Sequence, residues 1–122
     1  MALNAGDVLY VWCEDIVDPH DKFCICVSPE NRWFLFINSN PPRLHEAAVE
    51  ITSFELMPLR KDSYIDTSVI YTLSEAELSA AMAEERRHKG PLLPTVRARI
   101  KKNAEAHDLL KPAHRDAILN NL

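Results

Sequence analysis

The chain has 122 residues, of which 47% are hydrophobic and 26% are charged, and its formal net charge is −4. This composition is typical of one globular domain and excludes an intrinsically disordered chain. No apolar run approaches the roughly 20 residues of a membrane-spanning helix, and the N-terminus lacks the features of a signal peptide, so we predict a cytoplasmic protein without a membrane partner. Only two glycines are present; this excludes a glycine-rich phosphate loop, and we expect no cofactor.

The first half of the chain is predicted to form strands. Three runs rich in β-branched and aromatic residues carry this prediction, namely residues 8–13, 23–27 and 33–37. The short polar segment 29–31 joins the second run to the third, which is typical of an antiparallel hairpin. Residues 14–21 are acidic and contain a proline, so we expect a loop before this hairpin.

The cysteines and tryptophans of these strands are expected to serve packing. Cys13, Cys24 and Cys26 are odd in number and lie within apolar runs, so we interpret them as buried reduced thiols. No histidine stands at ligand spacing from them, and we therefore predict no metal site. Trp12 and Trp33 are assigned to the core or to a dimer interface, because indole rings supply much buried area.

Two further strands are predicted before the chain becomes helical. Pro41 and Pro42 cannot continue a central strand, so the chain is expected to leave the sheet there. Residues 49–51 form a short apolar run, and residues 63–71 alternate between polar and apolar positions. Five short strands in about seventy residues favour a small closed barrel over a sandwich.

Helix signals dominate the second half. Ser74 followed by Glu77 predicts a capping box, and we expect this helix to continue through the basic residues 86–89 to Gly90 as its C-terminal cap. Pro94 and Pro112 are placed to open a second and a third helix. The sequence therefore predicts one α+β domain over residues 1–122: a small SH3-like antiparallel barrel over about 5–72, followed by two or three helices over about 74–121.

Charge is unevenly distributed between the two parts. Residues 1–85 contain 5 Lys and Arg against 15 Asp and Glu, whereas residues 86–122 contain 9 against 3. Attraction between the two parts, within one chain or across a dimer, is one interpretation, together with ordinary solvated helix faces. A basic surface for a phosphate backbone is the other.

Several short motifs, taken in order, resemble the MazF/PemK-like toxins of toxin–antitoxin systems. The opening GDVLYV at residues 6–11 is similar to the first strand of that family, and residues 22–29 are similar to its second. Asn38 and Ser39 stand where the family has a Thr/Ser-containing turn. Residues 63–65 through 72–73 resemble a later strand that leads into a helix.

The resemblance implies a fold, an activity and a site. It implies a dimeric SH3-like barrel that cleaves single-stranded RNA without a metal ion and is held in check by an antitoxin protein. The family's catalytic cation and hydroxyl fall on Lys22 and Ser39 of this sequence, although the family has arginine where Lys22 stands and a proline after it. We interpret His20, Asn38 and His45 as substrate-binding residues.

A second function is also consistent with these residues. Lysine lacks the planar fork with which arginine holds a phosphate at two points, so the replacement changes the chemistry of the site. The alternative is a catalytically silent SH3-like barrel that binds protein or nucleic acid. An enzyme would lose cleavage on substitution of Lys22 or Ser39, whereas a binding module would have no turnover to lose.

Overall fold

A computed structural model describes residues 2–13, 20–56 and 59–122. Seven strands and three α-helices are present in these ranges. The strands are β1 Asp7–Cys13, β2 His20–Ser28, β3 Trp33–Asn38, β4 Ala48–Ile51, β5 Ser63–Asp66, β6 Tyr71–Thr72 and β7 His88–Pro91. The helices are α1 Glu75–Met82, α2 Pro94–Ala106 and α3 Pro112–Asn121, with short 3-10 turns at His45–Ala47 and Glu85–Arg87.

The strands form one antiparallel sheet. Their order is β4-β5-β3-β2-β1-β7, and β6 pairs with the start of β3 while β5 pairs with its end. The predicted α+β class is confirmed, and so is the hairpin of β2 and β3. The sheet is not closed, because β4 and β7 end the order of pairing; the predicted closed barrel is therefore not confirmed. None of the helices in the described ranges is long and apolar enough to cross a membrane.

Alternation along the central strands gives the sheet two apolar faces. One face packs on α1, and its buried side chains include Leu9, Val11, Cys24, Cys26, Phe34, Phe36 and Ala81. The other face packs on α2 and α3, and its buried side chains include Val8, Ile25, Val27, Leu35, Ile37, Val96, Ile100, Ala104 and Ile118. The helices therefore lie on both sides of the sheet, and neither apolar face of the central hairpin is left to solvent.

The predicted burial is confirmed for the three cysteines but not for both tryptophans. Cys13, Cys24 and Cys26 are free and buried, as predicted. Trp33 is partly buried against the core, and its ring centroid lies 4.6 Å from that of His114. Trp12 is 46% exposed, so its assignment to the core is wrong, and the alternative assignment to a dimer interface stays a prediction.

The first helix begins as predicted and ends earlier. Ser74 Oγ accepts from the Glu77 N–H while the Glu77 carboxylate accepts from the Ser74 N–H, which confirms the capping box. The helix ends at Met82, and the basic residues that follow form a 3-10 turn and β7. Gly90 is thus not a helix cap: it lies opposite Val8 of β1 with φ of 85°. Pairing with β1 satisfies the backbone of this segment, which is why the strand replaces the last helical turns.

The strand predicted over residues 63–71 is broken into two. β5 ends at Asp66, whose carboxylate accepts from the Ser68 N–H at 2.9 Å, a local turn. Thr67 is fully buried, with its hydroxyl 2.5 Å from Asn103 Oδ1 and 2.8 Å from His107 Nε2. These contacts to Asn103 of α2 and to His107, which directly follows α2, turn the chain away from the sheet until β6.

In the predicted acidic loop 14–21, residues 14–19 lie outside the described ranges, and residues 20–21 belong to β2.

Candidate functional site

The start of β2 and the end of β3 meet at one rim of the sheet. Cys24 lies opposite Phe36 in the antiparallel register, so Lys22 and Asn38, each two residues further towards the rim, lie on the same face. An open cleft of about 840 Å³ lies at this rim. Four of the five predicted site residues line the cleft, namely His20, Lys22, Asn38 and Ser39.

Lys22 is held in place by two neighbours. Its Nζ donates a hydrogen bond to Asn38 Oδ1, and the same ammonium lies 5.1 Å from the centroid of the Phe36 ring. That ring in turn stacks on Tyr71, with centroids 3.8 Å apart. Burial lowers the pKa of Lys22, and the neighbouring thiols of Cys24 and Cys13 oppose this effect. The cation is therefore positioned at the rim and is not a freely solvated lysine.

The remaining predicted residues differ in their surroundings. Ser39 follows β3 directly and is exposed, and its hydroxyl makes no hydrogen bond to any residue that the structure describes, so it is available to a ligand. His20 is the first residue of β2 and lies opposite Cys13. His45 lies in the 3-10 turn before β4 and does not line the cleft.

Four cations at the cleft were not identified from the sequence. Arg60 and Lys61 precede β5, whereas Arg86 and Lys89 flank the start of β7. Because β5 and β7 lie on opposite sides of the three central strands, these cations flank the rim from two sides. Within the described ranges, Arg86 pairs with Glu84 at 2.9 Å, and no ion pair involves Arg60, Lys61 or Lys89.

Arg87 neutralises the carboxylate at the rim. Its Nη1 donates to Asp21 Oδ1 at 2.6 Å and to the Tyr10 carbonyl oxygen at 3.0 Å. Hydrogen bonding to Asp21, and then to Glu84, raises the pKa of Arg87. The guanidinium also lies 5.7 Å from the centroid of the Tyr10 ring. Arg87 thus fixes the segment that carries Arg86 to the hairpin. Because Asp21 is paired with Arg87, its negative charge does not pair with the other cations of the cleft.

Aromatic rings complete the lining. Tyr10 and Phe23 are paired across β1 and β2, their ring centroids lie 4.5 Å apart, and both line the cleft. A cleft with cations, hydrogen-bonding side chains and aromatic rings can hold phosphate groups and stack bases. Among the described residues, no group of three or more His, Cys, Asp and Glu side chains is arranged to hold a metal ion.

Comparisons of the chain with protein-family models, curated proteins and solved structures each gave no match.

Proposed function

We propose that the protein is a MazF/PemK-like endoribonuclease that cleaves single-stranded RNA at the hairpin rim without a metal ion. The observation that carries the proposal is the convergence of Lys22, Asn38 and Ser39 in one cleft flanked by further cations. The resemblance assigned the cation and the hydroxyl to these positions from the sequence. Their shared cleft is what such an assignment requires.

The chemistry assigns a role to each group. The ribose 2′-hydroxyl gives up its proton and its oxygen attacks the adjacent phosphorus. The bond from phosphorus to the 5′-oxygen of the next nucleotide breaks, a 2′,3′-cyclic phosphate forms, and the 5′-oxygen leaves with a proton as a hydroxyl group. The Lys22 ammonium stabilises the negative charge that develops on the phosphoryl oxygens. Ser39 positions the phosphate by donating its hydroxyl hydrogen, and His20 supplies an imidazole for proton transfer. Arg60, Lys61, Arg86 and Lys89 hold the flanking phosphates.

The same proposal includes the partners and the finer fold. The active form is a homodimer in the cytoplasm, and an antitoxin protein inhibits it. The five strands β1 to β5 correspond to the SH3-like part of the family fold. The central hairpin supports this correspondence, because it brings the second and third strands together in the order that the family has.

The test is incubation of the purified protein with a long mixed-sequence RNA in EDTA, followed by mapping of the cut ends. We expect cuts that leave a 2′,3′-cyclic phosphate. Lys22→Met keeps the apolar stem over Phe36 and removes the charge, so cleavage should fall about a hundredfold, as for loss of one group that stabilises transition-state charge. Ser39→Ala should also lower the rate.

Matched controls separate the site from general effects of substitution. Lys102→Met on α2 and Ser79→Ala on α1 replace exposed residues that do not line the cleft, and both variants should cleave as the wild type does. Circular dichroism should show the same unfolding temperature for Ser39→Ala and the wild type. Cleavage that is unchanged in Lys22→Met would contradict the proposed mechanism, and so would cleavage that requires a divalent cation.

One observation favours a second candidate function. The side chain of Lys22 is already hydrogen-bonded to Asn38 and lies over Phe36, which suits a fixed binding group as well as a catalytic one. In this case the protein is a silent module that holds RNA without cutting it. Binding of the mixed-sequence RNA with no cut ends after prolonged incubation would support this function and exclude the enzyme.

A further inference from the structure

Phe54 is the most exposed large apolar residue among those described, at 89%. It lies in a turn that hydrogen bonds hold at both ends. The Glu55 carboxylate accepts from the Thr52 N–H at 2.9 Å, and the Thr52 hydroxyl oxygen accepts from the Glu55 N–H at 3.3 Å. Such a reciprocal pair fixes the backbone around Phe54. The phenyl ring is therefore presented to solvent by an ordered turn.

Two contacts fix this turn to the rest of the protein. The Ser53 N–H donates to Asp62 Oδ1 at 3.1 Å, and Arg99 on α2 donates to the Glu55 carboxylate. Arg99 also donates to the Glu50 carbonyl oxygen at 2.9 Å, so the turn is anchored to β4 as well. The hydrogen bond from the Thr52 backbone, together with Arg99, lowers the pKa of Glu55 and keeps its carboxylate ionised.

The contact between Ser53 and Asp62 joins the turn that carries Phe54 to the segment that follows one wall of the cleft. Asp62 directly follows Lys61, and Arg60 and Lys61 line that wall. A single strand that leaves the cleft over these two cations would run towards this turn. We propose that Phe54 is a stacking platform for one unpaired base of the RNA strand whose phosphates contact Arg60 and Lys61. This inference rests on the proposed function and adds a subsite outside the cleft.

The chemistry around Phe54 favours a base over an apolar protein surface. Anchors of protein interfaces lie within a patch whose other contacts exclude water, whereas the neighbours of Phe54 in its turn are the polar residues Ser53 and Glu55. A stacked base needs one aromatic face and a cation for the adjacent phosphate. Arg60 and Lys61 supply the cations, and Arg99 matches the charge of Glu55.

The experiment is fluorescence anisotropy with a labelled 12-nucleotide 2′-O-methyl RNA of mixed sequence, which the protein cannot cleave because its 2′-oxygen is blocked. Phe54→Ala should weaken binding about tenfold, within the range for loss of one base–aromatic stack. Phe54→Trp should restore the affinity. Leu93→Ala, which truncates another exposed apolar side chain (47% exposed) outside the cleft lining, should bind as the wild type does.

A duplex of the same sequence distinguishes stacking from charge. Its bases are stacked on one another, so Phe54→Ala should leave duplex affinity unchanged. Equal losses for the single strand and the duplex would overturn the inference. Unchanged single-strand binding in Phe54→Ala would also overturn it, and loss of self-association in sedimentation velocity would then assign the ring to a protein contact. If the wild type does not bind the single strand at all, the proposed function itself fails.

Discussion

The two ends of the β2–β3 hairpin use their polar groups in opposite ways. At the turn, Asn31 donates to Ser28 Oγ at 2.9 Å, and Arg32 Nε donates to the Leu73 carbonyl oxygen at 2.9 Å. The backbone there is also satisfied, since the Leu73 N–H donates to the Arg32 carbonyl oxygen at 3.0 Å. At the rim, Ser39 is exposed without such a partner among the described residues, and cations line the cleft.

This difference separates groups that stabilise the fold from groups available to a ligand. Polar side chains whose hydrogen-bonding groups are used within the protein contribute to its stability and have little capacity left for other molecules, whereas Lys22 at the rim keeps two of its three donors after its bond to Asn38. Unpaired cations facing a cleft contribute little to stability and attract anions. Substitutions at the turn should therefore change stability alone, and substitutions at the rim should change RNA binding or cleavage.

The largest change in stability is expected on substitution of Arg87, which both stabilises the fold and pairs with a carboxylate at the rim. Arg87→Ala removes the hydrogen bonds to Asp21 and to the Tyr10 carbonyl oxygen, and the free energy of unfolding should fall by about 2 kcal/mol, as for bonds that involve charged groups. RNA affinity should fall as well, because Asp21 is left unmatched at the rim. Urea denaturation and anisotropy measure the two effects.

Arg86 provides the matched control for that prediction. Arg86→Ala removes an exposed cation of the cleft whose ion-pair partner among the described residues is Glu84, so RNA affinity should fall while the unfolding midpoint in urea stays the same. If Arg86→Ala and Arg87→Ala lower stability equally, Arg87 does not have the anchoring role that its contacts indicate.

The hairpin and its rim were accessible to prediction from the sequence. The two apolar runs with a short polar link define the hairpin, and its antiparallel pairing then places Lys22 near Asn38. The capping box of Ser74 and Glu77 was equally accessible, because it depends on residues three positions apart. Such local patterns need no knowledge of the rest of the fold.

The positions of the four additional cations at the cleft depend on tertiary contacts, which no local sequence pattern predicts. Basic residues followed by Gly90 are typical of a helix C-terminus, yet the segment forms β7, where Gly90 pairs with Val8 and Arg87 reaches Asp21. Arg60 and Lys61 reach the cleft through the placement of β5 beside β3. Tertiary pairing therefore decided the position of these cations, and it overrode the local helix signal.

A smaller effect is expected at the turn end of the hairpin. Arg32→Ala removes the hydrogen bond to the Leu73 carbonyl oxygen, which should lower the free energy of unfolding by about 1 kcal/mol, while its exposed ion pair with Glu75 at 3.7 Å adds little. RNA affinity should not change. Arg43→Ala, at an exposed position whose side chain makes no hydrogen bond or ion pair to the residues that the structure describes, is the control. A loss of RNA affinity in Arg32→Ala would break the separation between the two ends.

The smallest effect is a displacement of the pH profile of cleavage. Burial lowers the pKa of Lys22, so its ammonium is fully present below that pKa and is lost as the pH rises through it. If the ammonium stabilises the transition state, the alkaline limb of the cleavage rate should lie below the pH at which an ordinary lysine loses its proton. Lys22→Arg should remove this limb, because a guanidinium stays charged over the accessible range, and spontaneous hydrolysis is subtracted with a protein-free control. An alkaline limb that persists unchanged in Lys22→Arg would assign the titration to another group and leave Lys22 with the binding role alone.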